Sequence, residues 1–325
     1  MTQSPPPDSS APPPGPLGPG PGDRTDFYRE IRRNKWRTFL ILAMFVGLIV
    51  LVGVAFDVLF GFGAVGVAIA LIVACGMAFF SYFYSDKVAL AASRAQPADG
   101  PEYQRYHNLV EGLCIAAGLP KPKLYVVKDR APNAFATGRN PKHSSLAVTT
   151  GLLEMMNRVE LEGVIAHELS HIKNYDILAG TVAVIAVGTI ALLADLGLRF
   201  SIFGGGDNRD SNAGAIGVVI AIVALALLIL APLAAQLMQF SMSRKRELLA
   251  DATGVQLTRY PPGLCSALKK LQTDKAVVGH ASRATAQLWI ESPLDRGQGK
   301  RGSWLNRAFD THPPLDERIR ILESM

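Results

Sequence analysis

Four stretches of the chain are continuously apolar: Thr38–Phe56, Phe62–Tyr82, Ile177–Leu198 and Ala215–Leu237. Each offers about the 20 residues that a helix rising 1.5 Å per residue needs to cross a bilayer. Asp195 is the one charged residue inside them, so the pattern predicts two transmembrane hairpins, residues 34–84 and 177–240. The stretches alternate with two hydrophilic blocks, residues 85–176 and 241–325, and the block boundaries are the expected domain boundaries.

Within the first block the period shifts between helix and strand. Tyr103–Ala117 has helical spacing and is followed by Leu119-Pro-Lys-Pro, which cannot continue a helix. Three extended segments come next, at Leu124–Lys128, Asn133–Gly138 and Ser145–Thr150. Gly151 then turns the chain into helical periodicity from Leu152 onward. In the second block a helix is expected after the fourth apolar stretch and another over Leu315–Leu322. The fold class expected is an α+β membrane protein: four transmembrane helices and a mainly helical domain with a small β-sheet, shared by the two hydrophilic blocks.

Composition agrees with a bilayer setting. Of 325 residues, 49% are hydrophobic and 18% charged, and mean hydropathy is +0.22, too apolar for an ordinary soluble domain. A net charge of +6 raises nucleic acid as a partner, but the cations are placed otherwise. Arg24, Arg29, Arg32, Arg33, Lys35 and Arg37 precede the first stretch, Lys87 and Arg94 follow the second, and Arg244, Lys245 and Arg246 follow the fourth. The positive-inside rule assigns these flanks, both termini and both blocks to the cytoplasm. A lipid bilayer is thus an expected partner and nucleic acid is not. Residues 1–33, rich in Pro and Gly, form an expected disordered tail without the order of a signal peptide. Cys75, Cys114 and Cys265 share no close spacing, which excludes a thiolate metal site or a disulfide framework.

The chemistry concentrates in His167-Glu-Leu-Ser-His171. Two histidines four apart stack on one helical face, and imidazole nitrogens there supply two of the three protein ligands of a catalytic zinc, leaving a position for water. Glu168, next to the first histidine, can act on that water as general base. The third ligand comes from Glu247, Asp251, His280 or His312. Glu247 and Asp251 lie four apart on a helix that starts where the fourth stretch ends, so the second hairpin returns them to the surface from which the metal helix departs. The competing reading pairs both acids with Arg244 or Arg246 on a solvated face. His107 and His143 read as ordinary surface histidines, and His280 as a residue of a Gly-containing flexible stretch.

Four motifs in order, Asn133-Ala-Phe-Ala-Thr-Gly, His167-Glu-Leu-Ser-His, Ser-Arg-Lys-Arg-Glu247-Leu-Leu-Ala-Asp251 and Thr311-His-Pro-Pro-Leu-Asp-Glu-Arg318, resemble those of the HtpX-type membrane zinc proteases. The resemblance covers about Asn34 to Ile321. It implies a zincin-like domain with one zinc per chain on His167, His171 and Glu247, Glu168 as base, and Asp251 behind a ligand histidine. Leu248 stands where the family often has an aromatic residue. For Asn133, Ala134, Phe135 and Ala136 the resemblance implies an exposed edge strand that binds an extended substrate; a plain interior strand is the alternative. Similarity to related proteases of prenylated proteins implies that His312 and Arg318 stabilise the oxyanion, against an ordinary loop-to-helix junction.

The function so implied is endopeptidase action on misfolded or unassembled membrane proteins at the cytoplasmic face of a bacterial plasma membrane, in quality control and stress response. A metal transporter would place histidines inside the apolar stretches, which contain none. A catalytically silent scaffold would lack one of the parts named above, and none is missing.

Overall fold

The structure is a computed structural model, and it describes residues 32–47, 49, 50, 54, 63–183, 244–274, 276, 288–290 and 314–325. The Pro-rich tail up to residue 31, the fourth apolar stretch, His280 and His312 lie outside the described residues, as does the third stretch beyond Ala183. The elements, in chain order, are α1 (Ala64–Ala92), β1 (Gln96–Pro97), α2 (Gln104–Ala117), β2 (Lys123–Val127), β3 (Ala134–Asn140), β4 (His143–Thr149), α3 (Thr150–Met155), α4 (Arg158–Lys173), α5 (Arg244–Thr258), α6 (Pro261–Thr273) and α7 (Leu315–Glu323). Residues 32–47 and 176–183 are also helical.

Helices dominate, and the sheet is small and mixed. Its strand order is β1-β2-β4-β3, with β2 and β4 parallel and the other two pairs antiparallel. Strand β1, two residues long, was not expected from the sequence, because a pair of residues ending in proline carries no alternation to read. Tyr106 of α2 donates its hydroxyl hydrogen to the Leu146 carbonyl and ties that helix to β4. Leu146, Leu161, Ile165, Leu169 and Leu268 join one core with residues of α2, α6 and α7.

Helix α1 is 29 residues long and apolar enough to cross a membrane. It runs from the second apolar stretch through Ser85, Asp86 and Lys87 to Ala92, so the expected boundary at residues 84 and 85 falls inside a continuous helix. Val65, Ile69, Ile72 and Phe79 are exposed on it. The first apolar stretch likewise begins inside a helix that starts by residue 32, and its Ile41 and Phe45 pack against Leu178, Ala179 and Val182 at the start of the third.

The helix expected from Leu152 is two helices. Thr149 caps α3 by accepting from the Leu152 amide, and at Met156 the chain is extended. Asn157 restarts it as a capping box: its side chain accepts from the Glu160 amide while Glu160 accepts from the Asn157 amide. Glu160 also accepts from Ser266 at 2.7 Å and Lys270 at 2.6 Å of α6. Burial opposes ionisation of this carboxyl, but the hydrogen bonds from Lys270, Ser266 and the Asn157 amide outweigh it and lower its pKa.

Helix α4 is buried on nearly every side, which requires close neighbours. A Cβ added at Gly163 would lie 2.7 Å from the Leu264 amide nitrogen of α6.

Two outcomes follow. Gly163→Ala gains up to about 1 kcal/mol in helix propensity yet is expected to lose about 1–3 kcal/mol to overpacking, so the denaturant midpoint in detergent falls. For Glu160→Gln the stability lost at pH 7 is about 1–3 kcal/mol. Because the folded pKa is depressed, that contribution is present above the ordinary carboxyl value near 4.5 and fades as pH falls through the folded value. Melting curves of wild type and variant should therefore converge as pH drops below that ordinary value and through the depressed folded one.

Candidate active site

Helix α4 delivers His167, Glu168 and His171, and its turn sets the two imidazoles on one face. Their Nε2 atoms are 3.2 Å apart with the rings nearly perpendicular, at 88°. Helix α5 crosses α4 closely: a Cβ at Gly254 would lie 3.0 Å from the His167 amide nitrogen. That approach brings Glu247 to the histidines, with Oε2 3.7 Å from His167 Nε2 and Oε1 3.5 Å from His171 Nε2. Ligand atoms of all three residues lie within 4.8 Å of one another.

The other nitrogen of each imidazole faces an acid. His167 Nδ1 is 2.8 Å from Asp251 Oδ1 and His171 Nδ1 is 3.1 Å from Asp176 Oδ2. Each ring therefore keeps its Nε2 lone pair directed at the point shared with Glu247. Asp251 is gripped from behind by Arg318, whose Nε donates at 2.8 Å and Nη2 at 2.6 Å. Burial works against ionised Asp251, yet the Arg318 charge and the bond to His167 hold its pKa at about 2. Burial likewise works against protonation of His171, but Glu247, Asp176 and Glu168 push it up to about 9. The pocket thus attracts positive charge. Glu168 shifts upward, chiefly through burial, which raises its basicity toward a proton on a nearby water.

Both distance and charge fit a divalent cation. Two nitrogens each about 2.0–2.1 Å from a tetrahedral zinc would be about 3.3 Å apart, and the observed separation is 3.2 Å. The buried carboxylates of Glu168, Asp176, Glu247 and Asp251 face the guanidiniums of Arg246 and Arg318. The four carboxyl groups outnumber the two guanidiniums, an acidic balance that a divalent cation would answer.

Residues 102–325 match Peptidase family M48. Among curated proteins, the "Protease HtpX homolog" of Dictyoglomus turgidum is 42% identical over 299 residues, 92% of this chain and 95% of that one. The protein of the same name from Tropheryma whipplei is 44% identical over 300 residues, 92% and 98% of the two chains. The chain belongs to peptidase family M48. Among solved structures, the crystal structure of S. mikatae Ste24p matches at 15% identity and a TM-score of 0.45, covering 92% of this chain and 67% of that one.

In this M48 metalloprotease several residues stand differently from the sequence-based expectation. Arg318 was expected to face the reacting carbonyl. It is fully buried, with its fork on Asp251 and Nη1 3.4 Å from the Ile290 carbonyl and 3.7 Å from Glu247 Oε2, because a buried carboxylate demands a bidentate cation. Asn133–Ala136 was expected to be exposed. Strand β3 does end the sheet, but all four residues are buried, since Trp289 bridges to Phe135 and the Ile290 amide donates to the Ala134 carbonyl at 2.9 Å. Asp176 was missed as the partner of His171, although an acid five residues after the second histidine is a legible signal. Trp289 carried no local signal, because Phe135, which it covers, lies far away in the sequence.

Arg318→Met strands the Asp251 carboxylate and should cost about 3–5 kcal/mol. Arg318→Lys should cost less, since it keeps the charge and loses the fork. Denaturant unfolding of the purified protease reads both; a midpoint for Arg318→Met equal to wild type would refute the pair's importance.

Proposed function

We propose that this M48 protease is a membrane-bound zinc endopeptidase that cuts misfolded or unassembled membrane proteins at the cytoplasmic face of a bacterial plasma membrane. The observation that carries the reading is the meeting of His167, His171 and Glu247 at one point, with each imidazole fixed by an acid on its far side. His₂Glu is a donor set that suits zinc, and these three residues would hold it. A bound zinc supplies Lewis acidity and brings the pKa of water toward about 7.

The chain's own residues do the rest. Glu168 takes a proton from the attacking water at its carboxylate oxygen and passes it to the leaving amine. Its burial keeps bulk water away from that exchange. Asp251 and Asp176 hold the histidines in one tautomer throughout. His312 would donate to the carbonyl oxygen as negative charge develops there, while Arg318 holds Asp251 in its fork and stands 3.7 Å from Glu247 Oε2. An extended substrate aligning with Asn133–Ala136 on β3 would take the place that Trp289 and Ile290 now occupy.

The membrane setting is supported by α1, long and apolar enough to span with its apolar side chains exposed, and by the cationic flanks before the first apolar stretch and after the second and fourth. Four spans with both termini inside would hold the site against the cytoplasmic surface, within reach of loops of neighbouring membrane proteins. The name "Protease HtpX homolog" borne by the relatives agrees with the activity proposed.

The deciding experiment is Glu168→Gln in detergent-solubilised protein, with zinc content measured beside cleavage of casein. Retained zinc with cleavage reduced at least about 100-fold is expected. Full cleavage by the variant would overturn the assignment.

A further inference from the structure

Asp176 does more than face His171. Its Oδ2 is 3.1 Å from His171 Nδ1, while its Oδ1 accepts from Asn34 Nδ2 at 2.5 Å and lies 3.5 Å from Arg246 Nη1. Asn34 Nδ2 also donates to the Asn174 carbonyl at 3.0 Å, at the residue that ends α4. Asn34 and Asn174 are almost completely buried. The three groups on Asp176 come from three places. Asn34 belongs to the helix leading into the first apolar stretch, His171 to the metal helix, and Arg246 to the first turn of α5.

That first helix is firmly seated. Ile41 and Phe45 pack on Leu178, Ala179 and Val182, Lys35 Nζ sits 4.7 Å from the centre of the Tyr175 ring, and Thr38 Oγ1 bonds the Asn34 carbonyl at 3.0 Å. Its one amide reaching the site therefore has little freedom to leave.

We infer that Asn34 is a positioning residue of the metal site, acting through Asp176 to aim His171, so that the helix of the first apolar stretch forms part of the support of the catalytic centre. The chemistry is directional. The carboxylate of Asp176 has two oxygens, and the Asn34 amide engages one of them. The other is left to accept the Nδ1 hydrogen of His171, which keeps the Nε2 lone pair on the ligand point. Without the amide, the carboxylate can rotate toward Arg246, and His171 loses its fixed tautomer. The inference rests on the zinc reading proposed above.

The test follows zinc release from the full-length protein, purified in detergent with its metal, after EDTA is added. Changes at residues that orient a ligand commonly cost 10–100-fold in metal affinity, and one step further out Asn34→Ala should speed release about 3–10-fold. Leu40→Ala, on the same helix but exposed and off the relay, should release zinc like wild type. In an Asp176→Asn background Asn34→Ala should add nothing, because both act through one contact. Asn34→Asp preserves shape if the alanine variant fails to fold; it sets two carboxylates together and should release zinc faster still. Its combination with Asp176→Asn restores a donor and an acceptor and should slow release again. Wild-type release from both Asn34 variants, or effects that simply add to Asp176→Asn, would overturn the inference. His167→Ala, run alongside, separates the causes: if it keeps its zinc, the metal assignment fails and takes the inference with it; if it loses zinc while the Asn34 variants do not, the inference alone falls.

Discussion

Charge taken out of water has to be answered within a few ångströms, and this is the constraint around which the described structure is arranged. A lone buried ion costs several kcal/mol even after relaxation, and here Glu168, Asp176, Glu247 and Asp251 are all buried. Each needs a partner whose position is fixed by a different helix. Arg318 comes from α7, Arg246 from α5, Asn34 from the first helix, and the histidines from α4. The convergence of these helices is thus an electrostatic demand, and the small residues Gly163, Ala166 and Gly254 are what lets the backbones meet it.

The two histidines are held unequally. The His167 side chain is wholly buried and clamped through Asp251 to the Arg318 fork, whereas 15% of the His171 side chain is exposed. His171 is thus the more accessible of the two, and His167 the more firmly fixed. His171 is in turn steadied by a carboxylate with a single short amide contact and a longer guanidinium contact, the softer of the two arrangements and the one joined to the apolar helices. The helices that carry the apolar stretches are in this way continuous with the reactive centre.

Local signals in the sequence account for a good part of this. The helix of His167 and His171, the three longer strands and the acidic pair at Glu247 and Asp251 were legible because each rests on short-range spacing. The break between α3 and α4 was legible in principle too, since Asn157 and Glu160 spell a capping box. What escaped depends on distant partners. Arg318 looked like a group aimed at substrate, and only the fold reveals Asp251 behind it, 67 residues away. Asn34 sits 142 residues from the acid that it contacts, and nothing in its neighbours announces a polar role. The covering of β3 by Trp289 and Ile290 belongs to the same class.

The long separation of these parts along the chain has a consequence in time. His167 and Arg318 are 151 residues apart, and Glu247 lies between them beyond another pair of apolar stretches. During synthesis the metal helix emerges well before Glu247 and Arg318, with two ligands but neither the third nor the cation that steadies Asp251. Closing such loops is entropically slow to be rewarded, so a nascent chain passes most of its elongation with an incomplete centre. Until the helix that carries Arg318 has been made, Asp251 lacks its cation and the His167 side of the centre lacks its clamp.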